Sequence, residues 1–317
     1  MEEQDTSVDR FIENHKDLEC DLETFRSFYD NPRSLHNHTF ENLLLYFSLE
    51  KYIQKKKVHF YPGLVFFNDR RRFKWFINAE NFKFSEFFEL SQFSEAVRNK
   101  MAIYSSHELE DDFLIKTKFK ETVYCLSDIF DEEVYYKKYE RLSRSEIKKK
   151  IYNRTVYPFR FLDRFEGFRV EEITEDILPE VGVLHKDWCE YKLNDPKTFK
   201  MMFSTNRYLR CLQESFRSSL LRDSKWYRKA FYIGNLLVAV RQCLIVDDTS
   251  YDIGFFSRFW DCPSNMMNYI NTYCMKDLMT MGVRYHNCGN ELDKHLKRFK
   301  EHFPFEERVG YKYNFKK

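Results

Sequence analysis

The run WYRKAFYIGNLLVAVRQCLIVDDTSYDIGFFSRFW, residues 226–260, constrains this chain more than any other segment. It joins stretches dense in β-branched and aromatic residues, broken by two turn signals, Gly234-Asn235 and Asp247-Asp248-Thr249-Ser250. Such stretches suit a pleated surface and such turns reverse it, so the spacing predicts an antiparallel meander of three strands. The residues that follow are equally ordered. Pro263 and Ser264 open a helix over MMNYINTYCMKDLMTM, Gly282 closes it at C′, and VRYHN makes a further strand. A last helix, LDKHLKRFKEHF, precedes a short strand, GYKYNF. Upstream, FEGFRVEEIT reads as a strand running into the helical segment EDILPEVGVLHKDWCEYK, and a further helix covers roughly residues 197–221.

The first half gives a vaguer version of the same order. TFENLLLYFSLEKY, residues 39–52, places apolar side chains at helical spacing, with Thr39 as N-cap and Glu41 in the first turn. KVHFYPGLVFFND and RRFKWFINAE form a hairpin about the polar turn Asn68-Asp69-Arg70. Residues 85–100 return to helical period, MAIYSS makes a short strand, and HELEDDFLIK reads as a second helix. Residues 131–150 interleave Lys and Arg with Tyr and Ile and connect the halves. A length of 317 residues supports two domains of roughly 150 residues each, and the repeated order implies an internal duplication without sequence repetition. The expected division is a flexible lead-in over 1–20, an N-terminal domain over 21–130, a basic helical connector over 131–157 and a C-terminal domain over 158–317.

Composition removes several function classes. With 43% hydrophobic residues, 8 Gly and 7 Pro, the chain is neither disordered nor fibrous. Its 52 Lys and Arg against 50 Asp and Glu leave a net charge of +2, so nucleic-acid contact has to come from local patches. Lys55-Lys56-Lys57, Arg70-Arg71-Arg72 and Lys148-Lys149-Lys150 each have aromatics close by. That pattern holds tRNA or another polyanion through phosphate contacts and stacking, and it also arises at solvated turns and helix ends. No run reaches the roughly 18 apolar residues of a membrane span, and the polar start Met-Glu-Glu-Gln-Asp is unlike a signal peptide, so a soluble, cytoplasmic protein is expected. The eight cysteines are scattered without CxxC, as reduced buried thiols are, and His36 and His38 stand without partners at metal spacing; no metal is expected.

The element order resembles the GNAT acyltransferase fold. More specifically, INTYCMKDLMTMGVRYHNCGNELDKHLKRFKEHFPFEERVGYKY is similar to the ending of the tandem-GNAT group that includes the phosphatidylglycerol lysyltransferase C-terminal domain and, more distantly, Fem-type aminoacyltransferases. The matching residues are Gly282, Asn287, Gly289, Leu296, Phe299, Lys300 and Tyr311. TFENLLLYFSLEKY and the joint YNRTVYPFRFLDRFEGFRVEEITEDILPEV are weaker echoes, the family's usual Lys-Arg-Asn being replaced by Tyr152-Asn153-Arg154. The resemblance implies an α+β protein of two GNAT-like domains in tandem, the N-terminal one degenerate, each a mixed, mostly antiparallel sheet flanked by helices.

It also implies direct attack of an amine or hydroxyl on an activated acyl group, helped by positioning and oxyanion stabilisation. In acetyl-CoA users a glycine-rich loop before the central helix cradles pyrophosphate. Here that junction is FFSRFWDCPSNMMNYI, without glycine after Gly254. Its absence fits a relative that uses another donor, such as aminoacyl-tRNA, or one that has lost activity. On the resemblance, Ser257, Arg258, Ser264, Asn265, Gly289 and Lys300 are candidate donor contacts, and Asn287 and Arg241 candidate catalytic residues. Arg241 and Gln242 lie mid-strand, so one of them faces the cleft; Cys288 is a nucleophile only with a base beside it, His286 being the nearest. No tightly bound cofactor is implied, acyl-CoA or aminoacyl-tRNA serving as co-substrate. The function expected is acyl or aminoacyl transfer in the C-terminal cleft, the alternative being an inactive GNAT-fold protein that binds a polyanion such as nucleic acid.

Overall fold

The computed structural model describes residues 10, 12–14, 16–23, 25, 42, 44–45, 49–55, 58–61, 64–69, 72–77, 101–105, 108, 114–193, 202–263, 265–290, 300 and 302–315. The chain is α+β and divides into two compact units, residues 1–121 with 308–317, and residues 122–307. The helix expected over 85–100, the cap at Thr39 and residues His36, His38, Leu296 and Phe299 lie outside the described residues.

In the first unit, helix α1 (Leu49–Gln54) leads into β1 (Val58–Tyr61) and β2 (Leu64–Asp69). These two strands pair antiparallel with Tyr61 opposite Leu64, so the segment expected as one strand is two; the sequence between them, Pro-Gly, is a dipeptide that favours turns. β2 pairs antiparallel with β3 (Arg72–Ile77), and β3 pairs in parallel with β4 (Met101–Ser105). Leu114, Ile115 and Lys116, expected in a helix, instead open the strand β5 (Leu114–Cys125). From Ile115 onward the run Ile-Lys-Thr-Lys-Phe-Lys alternates with the period of a strand and not of a helix.

The second unit begins with the end of β5, followed by helices α2 (Leu126–Phe130), α3 (Glu132–Lys138) and α4 (Arg144–Ile151). α4 starts on a full capping box: the Ser143 hydroxyl accepts from the Glu146 N–H, and the Glu146 carboxylate accepts from the Ser143 N–H. It runs through a π-turn (Tyr152–Val156) into α5 (Tyr157–Arg164). Pro158 explains the π-turn. It has no N–H for the carbonyl of Arg154, four residues earlier, and its ring crowds that carbonyl, so the helix widens there. The region expected as a connector, 131–157, therefore forms helices belonging by packing to the second unit.

β6 (Phe168–Glu172), α6 (Leu178–Leu193) and α7 (Met202–Arg217) precede the meander β7 (Lys225–Ile233), β8 (Leu236–Val246) and β9 (Thr249–Ser257). Helix α8 (Met266–Thr280) then crosses to β10 (Tyr285–Asn290), which pairs in parallel with β9. α8 ends in a Schellman motif. Gly282 has φ +86°, its N–H donates to the Met279 carbonyl, and Val283 N–H donates to that of Leu278. One face of this sheet packs Ala239 and Cys243 against Ile270 and Cys274 of α8 and Leu162 of α5. The other packs Val240 and Phe256 against Val181 and Leu184 of α6 and Leu212 of α7. The final strand, β11 (Glu306–Phe315), pairs with β4 of the first unit, Tyr311 opposite Ser105.

Candidate functional site

β9 and β10 pair only from Thr249 and Tyr285 to Tyr251 and Asn287, so they part beyond those residues. Nearby, β8 and β9 lose register between Gln242 and Cys243, a bulge of the kind that re-aims side chains beside sites. Arg241 of β8 lies here, 2% exposed. Its Nη1 donates to Asn271 Oδ1 of α8 (3.1 Å), while Nη2 meets His286 Nε2 (2.7 Å) and Asp252 Oδ2 (3.2 Å). A guanidinium only donates, so His286 Nε2 accepts and its Nδ1–H faces Ser250 Oγ at 2.8 Å. Burial works against the charge on Arg241, but Asp252 first, and then Cys243 and Cys274, together hold it above its ordinary value. Burial likewise pushes Asp252 up, opposed by Arg241 and then Lys300.

The matched C-terminal residues build the adjoining corner. Asn287 Oδ1 accepts from the Gly289 N–H (2.8 Å), Gly289 takes φ +67°, and its carbonyl accepts from Lys300 Nζ (2.7 Å). The Lys300 carbonyl in turn accepts from the Tyr124 hydroxyl (2.6 Å). Burial raises the Cys288 thiol to about 11, with Lys300 pulling the other way, so Cys288 is protonated at neutral pH and no thiolate nucleophile stands here. This cluster is enclosed. Neither Arg241 nor Gln242 faces an open cleft, because both strand faces are covered by helices.

A second arrangement is open. The end of α4, the π-turn, the start of α8 and His302 border a cleft of about 330 Å³. Lys150 and Arg154 supply its positive charge. Both sit over the Tyr139 ring (5.0 and 5.6 Å), and Arg154 Nη1 donates to the Tyr139 hydroxyl (2.8 Å). His302 is lowered to about 4, by burial first and then by Arg154 and Lys150, so it is neutral at pH 7. Asn265, with φ +68°, precedes α8 without a side-chain cap, and Asn268 and Tyr269 line the wall beyond it. The first N–H groups of a helix have no intrahelical acceptors and carry its positive dipole end, which favours an anion.

Helix α8 joins the two arrangements. Asn271 binds Arg241, and Thr272 Oγ1 faces the carbonyl of Arg154 (3.2 Å) that Pro158 leaves without its helical donor. The expected site residues accordingly separate. Arg241, Asn287, Gly289 and Lys300 are in the buried cluster, and Asn265 is in the cleft. Arg258 donates its N–H to the Val238 carbonyl (2.8 Å) and its guanidinium pairs with Asp187 of α6, while Ser257 is buried before it. Ser264, Lys56, Lys57, Arg70 and Arg71 lie outside the described residues. His302, Asn268 and Tyr269 were not singled out by sequence reasoning; Lys150 and Arg154 carried a signal in the basic run and the joint. Among the described residues, no helix is long and apolar enough to cross a membrane.

No protein-family model matches the sequence, and no curated protein matches it. Solved structures do share the fold. A conserved protein of unknown function from Bacteroides thetaiotaomicron superposes with a TM-score of 0.63 at 13% identity, over 93% of this chain and 96% of that one. L-PGS from Bacillus licheniformis superposes at 0.53 and 15% identity, over 94% and 92%. The C-terminal domain (DUF2156) of a putative lysylphosphatidylglycerol synthetase from Agrobacterium fabrum aligns over 81% of each chain at 14% identity, with a TM-score of 0.46. The protein thus has an α+β, GNAT-like fold, a mixed sheet flanked by helices, similar to that of L-PGS from Bacillus licheniformis.

Proposed function

We propose that the second unit is an acyl- or aminoacyltransferase that seats the phosphates of an activated donor, aminoacyl-tRNA or acyl-CoA, in the Lys150–Arg154 cleft. The observation that carries this is the convergence of two cations with the N-terminal end of α8 in one open cleft. The shared fold supports it by analogy. An acceptor amine or hydroxyl attacks the acyl carbon, the bond to the donor oxygen or sulfur breaks, and the acceptor's proton passes to that leaving group. Arg241 and Asn287 act as positioning residues, holding α8 and β10 from within; Asn265 contacts the donor. The first unit is a degenerate second copy of the fold, and such donors place the reaction in the cytoplasm.

A second reading is a polyanion-binding protein without chemistry. It is favoured by the closure of Arg241 and the raised thiol of Cys288. Thermal shift with acetyl-CoA, longer acyl-CoAs, and charged and uncharged tRNA, repeated on Lys150→Ala, tests both. A ligand that binds only the folded state raises its stability. Stabilisation by one donor class, reduced in Lys150→Ala and accompanied by acyl transfer, supports the transferase. Equal stabilisation by charged and uncharged tRNA without transfer supports the second reading, and no shift with any of them removes the cleft as a donor site.

A further inference from the structure

Beside the cleft, and sharing Tyr157 with it, a groove of about 200 Å³ is lined by Tyr152, Tyr157, Arg160, Phe161, Arg164 and Phe165. Its rings form a ladder. Centroids lie 6.1 Å apart from Tyr152 to Tyr157, 6.1 Å from Tyr157 to Phe161 and 5.5 Å from Phe161 to Phe165. The last two steps are the ordinary four-residue spacing of a helix face. The first is not. In an α-helix, residues five apart point about 140° away from each other, since each residue turns about 100°. Here the Tyr157 N–H donates to the Tyr152 carbonyl across the π-turn, and this wider turn puts both tyrosines on one side. Tyr152 and Tyr157 are 39% and 38% exposed, a large aromatic surface left to solvent.

The charges around the ladder limit what can cover it. Arg160 stands 5.7 Å over the Tyr152 ring, Arg164 is beside Phe165, and Lys150 and Arg154 lie in the adjoining cleft. An apolar partner would have to desolvate these cations, and a polyanion without rings would leave the aromatic surface wet. A strand of unpaired nucleotides meets both demands, its bases on the rings and its phosphates on the cations. We propose that this face is a platform for single-stranded nucleic acid, with bases stacked on Tyr152, Tyr157 and Phe161 and the backbone running from Arg160 and Arg164 toward Lys150. The proposal rests on the functional reading above only where the two share the phosphate cleft.

Fluorescence anisotropy with labelled oligo(U) RNA, a duplex of equal length and heparin as competitor tests it. The single strand is expected to bind well above the duplex. Tyr152→Ala, at an exposed position, weakens it roughly tenfold with the salt slope unchanged, because stacking and not charge is lost, whereas Tyr152→Phe retains it. Lys150→Ala lowers the salt slope by about one. Equal binding of duplex, or unchanged affinity in a Tyr152→Ala protein of normal circular dichroism, overturns the platform, as does binding of acyl-CoA with none of RNA. Donor-dependent thermal shift on the same variants separates the two readings. A shift by acyl-CoA that survives in Tyr152→Ala, without RNA binding, removes the platform and leaves the transferase; RNA binding without any acyl transfer does the reverse.

Discussion

The Arg241 guanidinium lies 3.2 Å from the Asp252 carboxylate, and Arg241 is 2% exposed. Four elements meet on it, because Asn271 of α8 and His286 of β10 also accept from its Nη1 and Nη2 while β8 and β9 carry the pair. Breaking a buried pair by deleting one partner leaves an uncompensated charge, which costs more than the pair contributes over an apolar replacement.

Arg241→Met is therefore expected to lower unfolding stability by about 3 to 5 kcal/mol, measured by urea denaturation. Arg241→Met combined with Asp252→Leu should cost clearly less than the sum of the single changes, since in the double variant neither of the two is left without the other. Additive losses would mean that Asp252 is satisfied by other groups and that Arg241 acts alone.

His302 gives stability a pH dependence of definite sign. Folded, it titrates at about 4, against 6.5 unfolded, with burial as the main cause and Arg154 and Lys150 adding to it. The unfolded chain binds the proton first, so this contribution is complete above about pH 6.5 and is lost as the pH falls toward 4. The total is on the order of 3 kcal/mol. His302→Gln should flatten that window in urea melts between pH 7 and pH 4, and an unchanged slope would refute the assignment. An anion in the cleft offsets the two cations, so its binding near pH 5 should take up a proton, readable by calorimetry in two buffers.

What the sequence made legible is local. The meander followed from its two turns, the end of α8 from Gly282, and the strand β10 from the run VRYHN after it, though not its parallel pairing with β9. The cleft did not, because it is assembled from residues 150–157, 265–269 and 302, remote in sequence. One cause lies in a single residue that was not read from the sequence: Pro158 removes an N–H, which widens the helix and frees the Arg154 carbonyl for Thr272. The burial of Arg241 was not visible, since an arginine in a strand reads as surface until its partners on α8, β9 and β10 are known.

Arg258 separates the expected donor contacts from the observed cleft. Its guanidinium pairs with Asp187 of α6, at side-chain exposures of 18% and 31%, and it is absent from the cleft lined by Lys150 and Arg154. Such a partly exposed pair is screened by solvent, so Arg258→Ala should cost only about 1 kcal/mol. Asp187→Ala should cost about the same, and the double variant little more than either, as coupled partners do. Stabilisation by a phosphate-bearing donor should survive in Arg258→Ala and fall in Lys150→Ala. The opposite pattern, with binding lost only in Arg258→Ala, would move the donor phosphates to the end of β9 and out of the cleft.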